Sequence, residues 1–253
     1  MKILIINPNI SESVTELIVQ EARRSSLIGT EIITETADVG VAYIETRAEA
    51  VFGALAVLQK VAKHHESVDA VIVAAYGDPG VCAAKELVDI PVIGLTEATL
   101  AEAHLMGGRF SLVGISERIG VWYREVVRYY GFESRMASYR GLSKGFSNVS
   151  CVQQEKRQML LNLCFACVDQ DGADSIILCG APLAGLAREI TDQVPVPLVD
   201  GVGAAMRAAQ SMASRGRIMR TRGSYAALPK KGNRGLPVEI ENFLQQQFGL
   251  NHG

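Results

Sequence analysis

Short apolar runs bounded by turn residues alternate along this chain with longer amphipathic stretches, and that alternation restricts the fold more than any other feature. The apolar runs fall at 2–7, 30–36, 69–75, 91–95, 110–115, 135–139, 174–179 and 196–199. Helical patterns lie between them at 12–27, 46–66, 80–89, 97–106, 117–130, 152–171, 183–192 and 200–214. The repeated β–α order with strands of four to seven residues predicts a parallel sheet with helices on both faces. With 253 residues, 48% of them hydrophobic, the chain can bury such a core. The expected class is α/β. Ser11 and Ser13 stand where a helix N-cap belongs, and Glu16 follows Ser13 at capping-box spacing.

The pattern also repeats. Laying Tyr76, Gly77, Asp78 and Pro79 over Cys179, Gly180, Ala181 and Pro182 keeps register, without a gap, to Ala84, Lys85 and Glu86 over Ala187, Arg188 and Glu189. Each copy follows an apolar strand and leads, after one insertion, to a Pro-Val strand at Pro91 and Pro195. Two related halves, each with a turn of the form x-Gly-x-Pro, would bring those turns face to face across a cleft.

Small polar residues collect at several carboxyl strand ends, which is where α/β proteins place ligands. Asn7 and Asn9 precede Ser11, Ser13 and Thr15 at a helix start, a setting suited to a carbonyl or carboxylate. The turn 76–80 and the turn 179–182 offer backbone N–H groups to an oxyanion, and Ser116 follows the strand at 110–115. The repeat pairs Tyr76 with Cys179. These two are the expected catalytic groups, facing a substrate from opposite sides, the phenol as acid and the thiolate as base. Alternatively Tyr76 is only an aromatic wall. Asp78 is read as a second possible base or, within its Asp-Pro-Gly turn, as a local cap. Glu97 opens a helix and either caps it or orients a neighbour.

Composition removes other classes. A formal net charge of −2 argues against a nucleic-acid or membrane role for the whole molecule. No stretch approaches the ~18 apolar residues of a membrane span. The N-terminus enters a strand at once and lacks the pattern of a signal peptide. Cysteines 82, 151, 164, 167 and 179 then read as reduced cytoplasmic thiols, with Cys164 and Cys167 as helix-core groups rather than a redox motif. His64, His65, His104 and His252 have no metal-ligand spacing, and His64 and His65 read as a solvated helix end. Neither a metal nor a cofactor is expected. Between Arg215 and Arg234 there are seven basic residues and no acid, which reads as a solvated tail or as an attractor of anions.

Asn7, Pro8, Asn9, Ser13 and Thr15, the Gly77-to-Gly80 turn, the 91–94 run Pro-Val-Ile-Gly, and Glu97 resemble the Asp/Glu/hydantoin racemase family, nearest its hydantoin and allantoin racemases. The resemblance continues through Arg109, Tyr130, the 183–186 run, Asp200 and the Lys230–Leu236 tail, and so covers nearly the whole chain. It implies two pseudo-symmetric parallel-sheet subdomains, 1–98 with 205–253 and 99–204, around an active-site cleft. It also implies cofactor-free removal and return of a proton at the carbon next to a carbonyl, on a small cyclic ureide or amino-acid derivative. The expected substrate-binding set is Asn9, Ser13, Ala75, Gly77, Asp78, Ser116, Gly180 and Ala181. A homo-oligomer binding a small-molecule substrate is expected.

The chain departs from that family at its chemistry. Family members use two cysteines. The first position is Ala75 here, and the second falls on Gly180, with Cys179 one residue early. A one-residue slip on a strand turns a side chain to the other face. Three accounts follow: a natural enzyme with altered chemistry, including a lyase, decarboxylase or hydrolase with one thiol or none; a Cys-to-Ala trapped variant; or a catalytically silent binder.

Overall fold

The computed structural model describes all residues except 144, 146, 147, 219–221, 227 and 250–253. Its first half runs β1 (Lys2–Asn7), α1 (Glu12–Arg24), β2 (Glu31–Thr36), α2 (Arg47–His64), β3 (Ala70–Val73), α3 (Val81–Leu87), β4 (Val92–Gly94) and α4 (Leu95–Met106). The second half runs β5 (Phe110–Gly114), α5 (Gly120–Tyr129), β6 (Met136–Gly141), α6 (Val152–Asp169), β7 (Ser175–Cys179), α7 (Leu186–Ile190), β8 (Leu198–Asp200) and α8 (Gly201–Ala213). A last helix, α9 (Val238–Gly249), closes the chain.

These strands form two four-stranded parallel sheets, ordered β2-β1-β3-β4 and β6-β5-β7-β8. The order is the same in both when β5 is matched to β1. The repeated turn motif thus has a structural counterpart, since the loops after β3 and β7 hold equivalent places in equivalent sheets. The α/β class and the two pseudo-symmetric halves are as the sequence implied.

The inner strands are apolar because both faces are covered, whereas the edge strands β2 and β6 carry polar residues and are only partly buried. Ile3, Leu4, Ile5 and Ile6 of β1 and Ala70–Val73 of β3 are fully buried or nearly so. One core draws on β1, β3, β5 and β7 of both sheets and on α1, α4, α5, α6 and α8. A second lies on the outer face of the first sheet, under α2, α3 and α9. Although α8 follows the second sheet in sequence, it packs against α1, α4, β3 and β4 of the first half.

Several local expectations are corrected. The Ser13–Glu16 capping box does not form: α1 starts one residue before Ser13, at Glu12, and the Ser13 hydroxyl lies 3.1 Å from that of Ser11. A capping box forms instead at α2, where the Thr46 Oγ1 accepts the Glu49 N–H and the Glu49 carboxylate accepts the Thr46 N–H. The tail is not wholly a solvated strap, since α9 buries Ile240 and Phe243 against the second core. Within its basic run Arg217 pairs with Asp89, whereas Arg222, Lys230, Lys231 and Arg234 are exposed; Arg220 lies outside the described residues. His64 and His65 are not simply solvated. His64 Nε2 lies 2.5 Å from a Glu35 carboxylate oxygen, and the His65 ring stands edge-on to Phe243. Cys164 and Cys167 are buried on α6, as helix-core thiols should be.

Candidate active site

The turn after β3 is held from outside itself. Gly77 has φ +91°, and a Cβ there would meet the Trp122 indole at 2.4 Å, so only glycine passes beneath that ring. Its N–H donates to Thr96 Oγ1 at 2.8 Å. Asp78 is the one described non-glycine residue with positive φ, at 50°. Its carboxylate accepts the Thr96 and Glu97 N–H groups at 2.8 and 2.9 Å and the Tyr130 hydroxyl at 2.9 Å. Asp78 therefore caps α4, a helix eighteen residues on, and is neither a local cap nor directed at a ligand. Burial and then the neighbouring Glu97 charge push its carboxyl up to about 6, against the backbone donors that favour the anion. Glu97 is a cap as well, accepting the Gly94 N–H at 3.0 Å while pairing with Lys85.

The expectation that Tyr76 and Cys179 oppose each other across a ligand is not what the fold produces. Cys179 ends β7 with no exposed surface, and its Sγ contacts the Ile177 carbonyl at 3.4 Å. The Tyr76 hydroxyl reaches inward, 2.5 Å from Thr99 Oγ1, and lies beside the Cys179 thiol. The two side chains thus meet each other under the cleft floor. Burial raises both groups above their ordinary values, so at neutral pH each keeps its proton. The one-residue offset of Cys179 was the warning: on β7 it turns the thiol into the core and leaves Gly180, at φ +120°, on the cleft side.

Six of the expected site residues come together. Asn9, Ala75, Tyr76, Ser116, Gly180 and Ala181 line one narrow cleft, which encloses about 30 Å³. Ser13, Gly77, Asp78 and Cys179 do not line it. Ala75 and Gly180 contribute little more than a methyl group and bare backbone. Asn9 is better equipped. Its Oδ1 accepts from Ser11 N–H at 2.9 Å and Asn7 Nδ2 at 3.2 Å, which fixes the amide orientation. The Asn9 NH₂ group then has no partner among the described residues and is available to a carbonyl.

Sequence reading missed the other wall. Tyr43, Ile44 and Glu45, from the loop between β2 and α2, line the cleft with Ile115, Ile119, Tyr123 and Pro182. Ser116 Oγ donates to Glu45 Oε1 at 2.5 Å, joining the loop of one half to the strand end of the other. The Tyr139 hydroxyl donates to the Ser116 carbonyl, and Tyr123 stacks between Tyr76 and Tyr139. No periodicity or turn motif marks residues 43–45, so only the three-dimensional arrangement finds them. Among the described residues no group of His, Cys, Asp or Glu is arranged to hold a metal ion, and no helix is long and apolar enough to cross a membrane.

Residues 3–209 match the family model described as Asp/Glu/hydantoin racemase. A hydantoin racemase from Paenarthrobacter aurescens is 34% identical over 218 residues, covering 85% of this chain and 92% of that protein. A hydantoin racemase from Pseudomonas sp. (strain NS671) is 30% identical over 248 residues, 98% of either chain. The solved allantoin racemase from Klebsiella pneumoniae superposes with a TM-score of 0.90 at 31% identity, covering 95% of this chain and 98% of its own. The likeness is one of scaffold and sequence, and no cysteine of this chain lines the cleft.

Proposed function

This chain belongs to the Asp/Glu/hydantoin racemase family, and on that premise we propose that it is a cofactor-independent isomerase acting on a small cyclic ureide of the hydantoin or allantoin type. The reaction is removal and return of the proton on the carbon beside a ring carbonyl. One observation carries the proposal: the cleft opens at the carboxyl ends of β1, β3, β5 and β7, and Ala75 and Gly180, from the turns after β3 and β7, both line it. A flat ring entering there meets the Asn9 NH₂ group, which donates to a carbonyl and stabilises the enolate formed when the neighbouring carbon loses its proton. The Tyr76 and Tyr123 rings give it an apolar wall.

The two-thiol route implied by the family resemblance is not open to this chain, since Ala75 has no acid–base group and Cys179 is turned into the core. A different group must carry the proton. The companion expectations belong to the same reading. Residues 1–98 with 205–253 are taken as one subdomain and 99–204 as the other, in keeping with the packing of α8 and α9 on the first half. A homo-oligomer suits the exposed Val51, Phe52 and Leu55 on α2, and five free cysteines suit a cytoplasmic setting.

The test is polarimetry on enantiopure 5-substituted hydantoins and allantoin in deuterated water, with mass spectrometry of the recovered material. Loss of rotation together with one deuterium at the acidic carbon is expected. A new product mass would favour a lyase or hydrolase, and binding with no exchange would favour a silent binder.

A further inference from the structure

We propose that Glu45 is the base that takes the proton from the substrate carbon. This inference rests on the racemase reading above and supplies the group that reading lacks. Six side chains lining the cleft carry a polar group, Asn9, Tyr43, Glu45, Tyr76, Ser116 and Tyr123, and the Tyr76 hydroxyl is turned beneath the floor. An amide is no base, and an aliphatic hydroxyl or a phenol holds its proton at neutral pH; only the carboxylate is an acceptor by type.

Its placement is also that of a positioned group. Glu45 precedes the Thr46 cap of α2, and its own N–H donates to the Glu49 carboxylate at 2.8 Å, which anchors the backbone. Ser116 Oγ donates to Oε1 at 2.5 Å, while Ser116 itself accepts the Arg118 N–H at 3.2 Å. The Ser116 proton is thereby committed to Glu45. Two residues along, Arg47 at the start of α2 grips Glu125 of α5 through two hydrogen bonds, so the segment is tied to the second half at Glu45 and just beyond it. The second carboxylate oxygen, Oε2, accepts nothing among the described residues. It is the one unengaged anionic oxygen on the cleft wall.

In the proposed step Oε2 takes the proton from the carbon, and the C–H electron pair moves into the adjacent carbonyl to give an enolate whose oxygen is held by Asn9. The enolate carbon then recovers a proton. From the Glu45 carboxyl it regains the original configuration; from water at the open mouth it inverts, and the hydroxide so formed is neutralised by the Glu45 proton. No oxidant or reductant enters.

The experiment measures deuterium uptake at the acidic carbon and the dissociation constant in parallel, for the unaltered chain, Glu45→Gln and Glu45→Asp, with whichever hydantoin or allantoin the unaltered chain exchanges. The expected result is a loss of ~100-fold or more in exchange for Glu45→Gln with the dissociation constant kept within a few-fold, and partial recovery in Glu45→Asp. Exchange by Glu45→Gln near that of the unaltered chain would overturn the assignment and leave the racemase reading standing. Equal losses in exchange and in binding would also overturn it, showing that Glu45 only shapes the cleft. If the unaltered chain exchanges no member of the panel, both readings fall.

Discussion

The Tyr76 hydroxyl donates its proton to Thr99, 2.5 Å away, and not toward the cleft. The direction follows from a proton count. Thr99 Oγ1 has one hydrogen, and that hydrogen is shared between the Leu95 and Thr96 carbonyls at 2.9 and 3.0 Å, so Thr99 can only accept from Tyr76. Tyr76→Phe is therefore expected to lower stability by about 1 kcal/mol, the usual net worth of one buried hydrogen bond. Isotope exchange should stay within several-fold, since the ring remains against the cleft. Thermal melts and exchange rates check the pair of effects, and a collapse of exchange in a well-folded variant would restore Tyr76 as an acid.

Thiol chemistry should divide the cysteines by burial. Cys82 and Cys151 are partly exposed, while Cys164, Cys167 and Cys179 are fully buried. Burial pushes Cys164 up to about 12 and raises Cys167 and Cys179 as well. Iodoacetamide followed by peptide mapping should label only Cys82 and Cys151 in the native protein and all five after unfolding. Rapid native labelling of Cys179 would contradict its placement.

Asp78 should leave a signature in the pH dependence of stability. Its folded carboxyl titrates near 6, above the ordinary 3.8, so between those values the folded state holds more protons than the unfolded chain. Stability from this group therefore falls as pH rises through that window. Asp78→Asn should be destabilised by roughly 1–3 kcal/mol at pH 5, having lost part of the α4 cap. Its deficit should narrow by about 1 kcal/mol at pH 8. Urea midpoints at the two pH values test this, and a constant gap would mean that the Asp78 carboxyl is not raised.

Glu35 should show the opposite sign. Burial alone would raise its carboxyl, but hydrogen bonds from Lys60, Lys63 and His64 outweigh burial and hold it at about 2, below the ordinary 4.5. Stability from a depressed carboxyl is fully present above 4.5 and is lost as pH falls toward 2. Glu35→Gln is expected to cost up to about 3 kcal/mol at pH 7, less whatever solvent screens. The difference from the unaltered chain should shrink steadily between pH 5 and pH 3 in denaturant titrations. A gap independent of pH would assign the loss to packing.

The scaffold was easier to read from the sequence than the chemistry, for a physical reason. Strands and amphipathic helices are written in local periodicity, and the repeated x-Gly-x-Pro turns pointed to two related halves. Asn9, Ala75, Ser116, Gly180 and Ala181 were legible because they sit at strand ends. Asp78 was not, because its partners are the amides of Thr96 and Glu97, which only sheet assembly brings within reach. Glu45 was invisible for a similar reason, its partner Ser116 lying seventy-one residues away in the other half. α9 escaped notice because the charges before it dominated the tail, while Ile240 and Phe243 are too few to set a clear period. Cys179 misled by its type: a thiol beside a glycine at a strand end looks reactive, and a single step of register buries it.

The turn after β3 keeps its shape through Gly77 under Trp122 and Asp78 on the α4 amides, and the Ala75 side chain takes no part in either contact. Holder and held are therefore separable. The contacts that fix the turn are thus made by residues 77 and 78, and position 75 is presented to the cleft without helping to shape it. In such a turn the part that gives the shape and the part that faces the cleft are carried by different residues, so each can vary by itself.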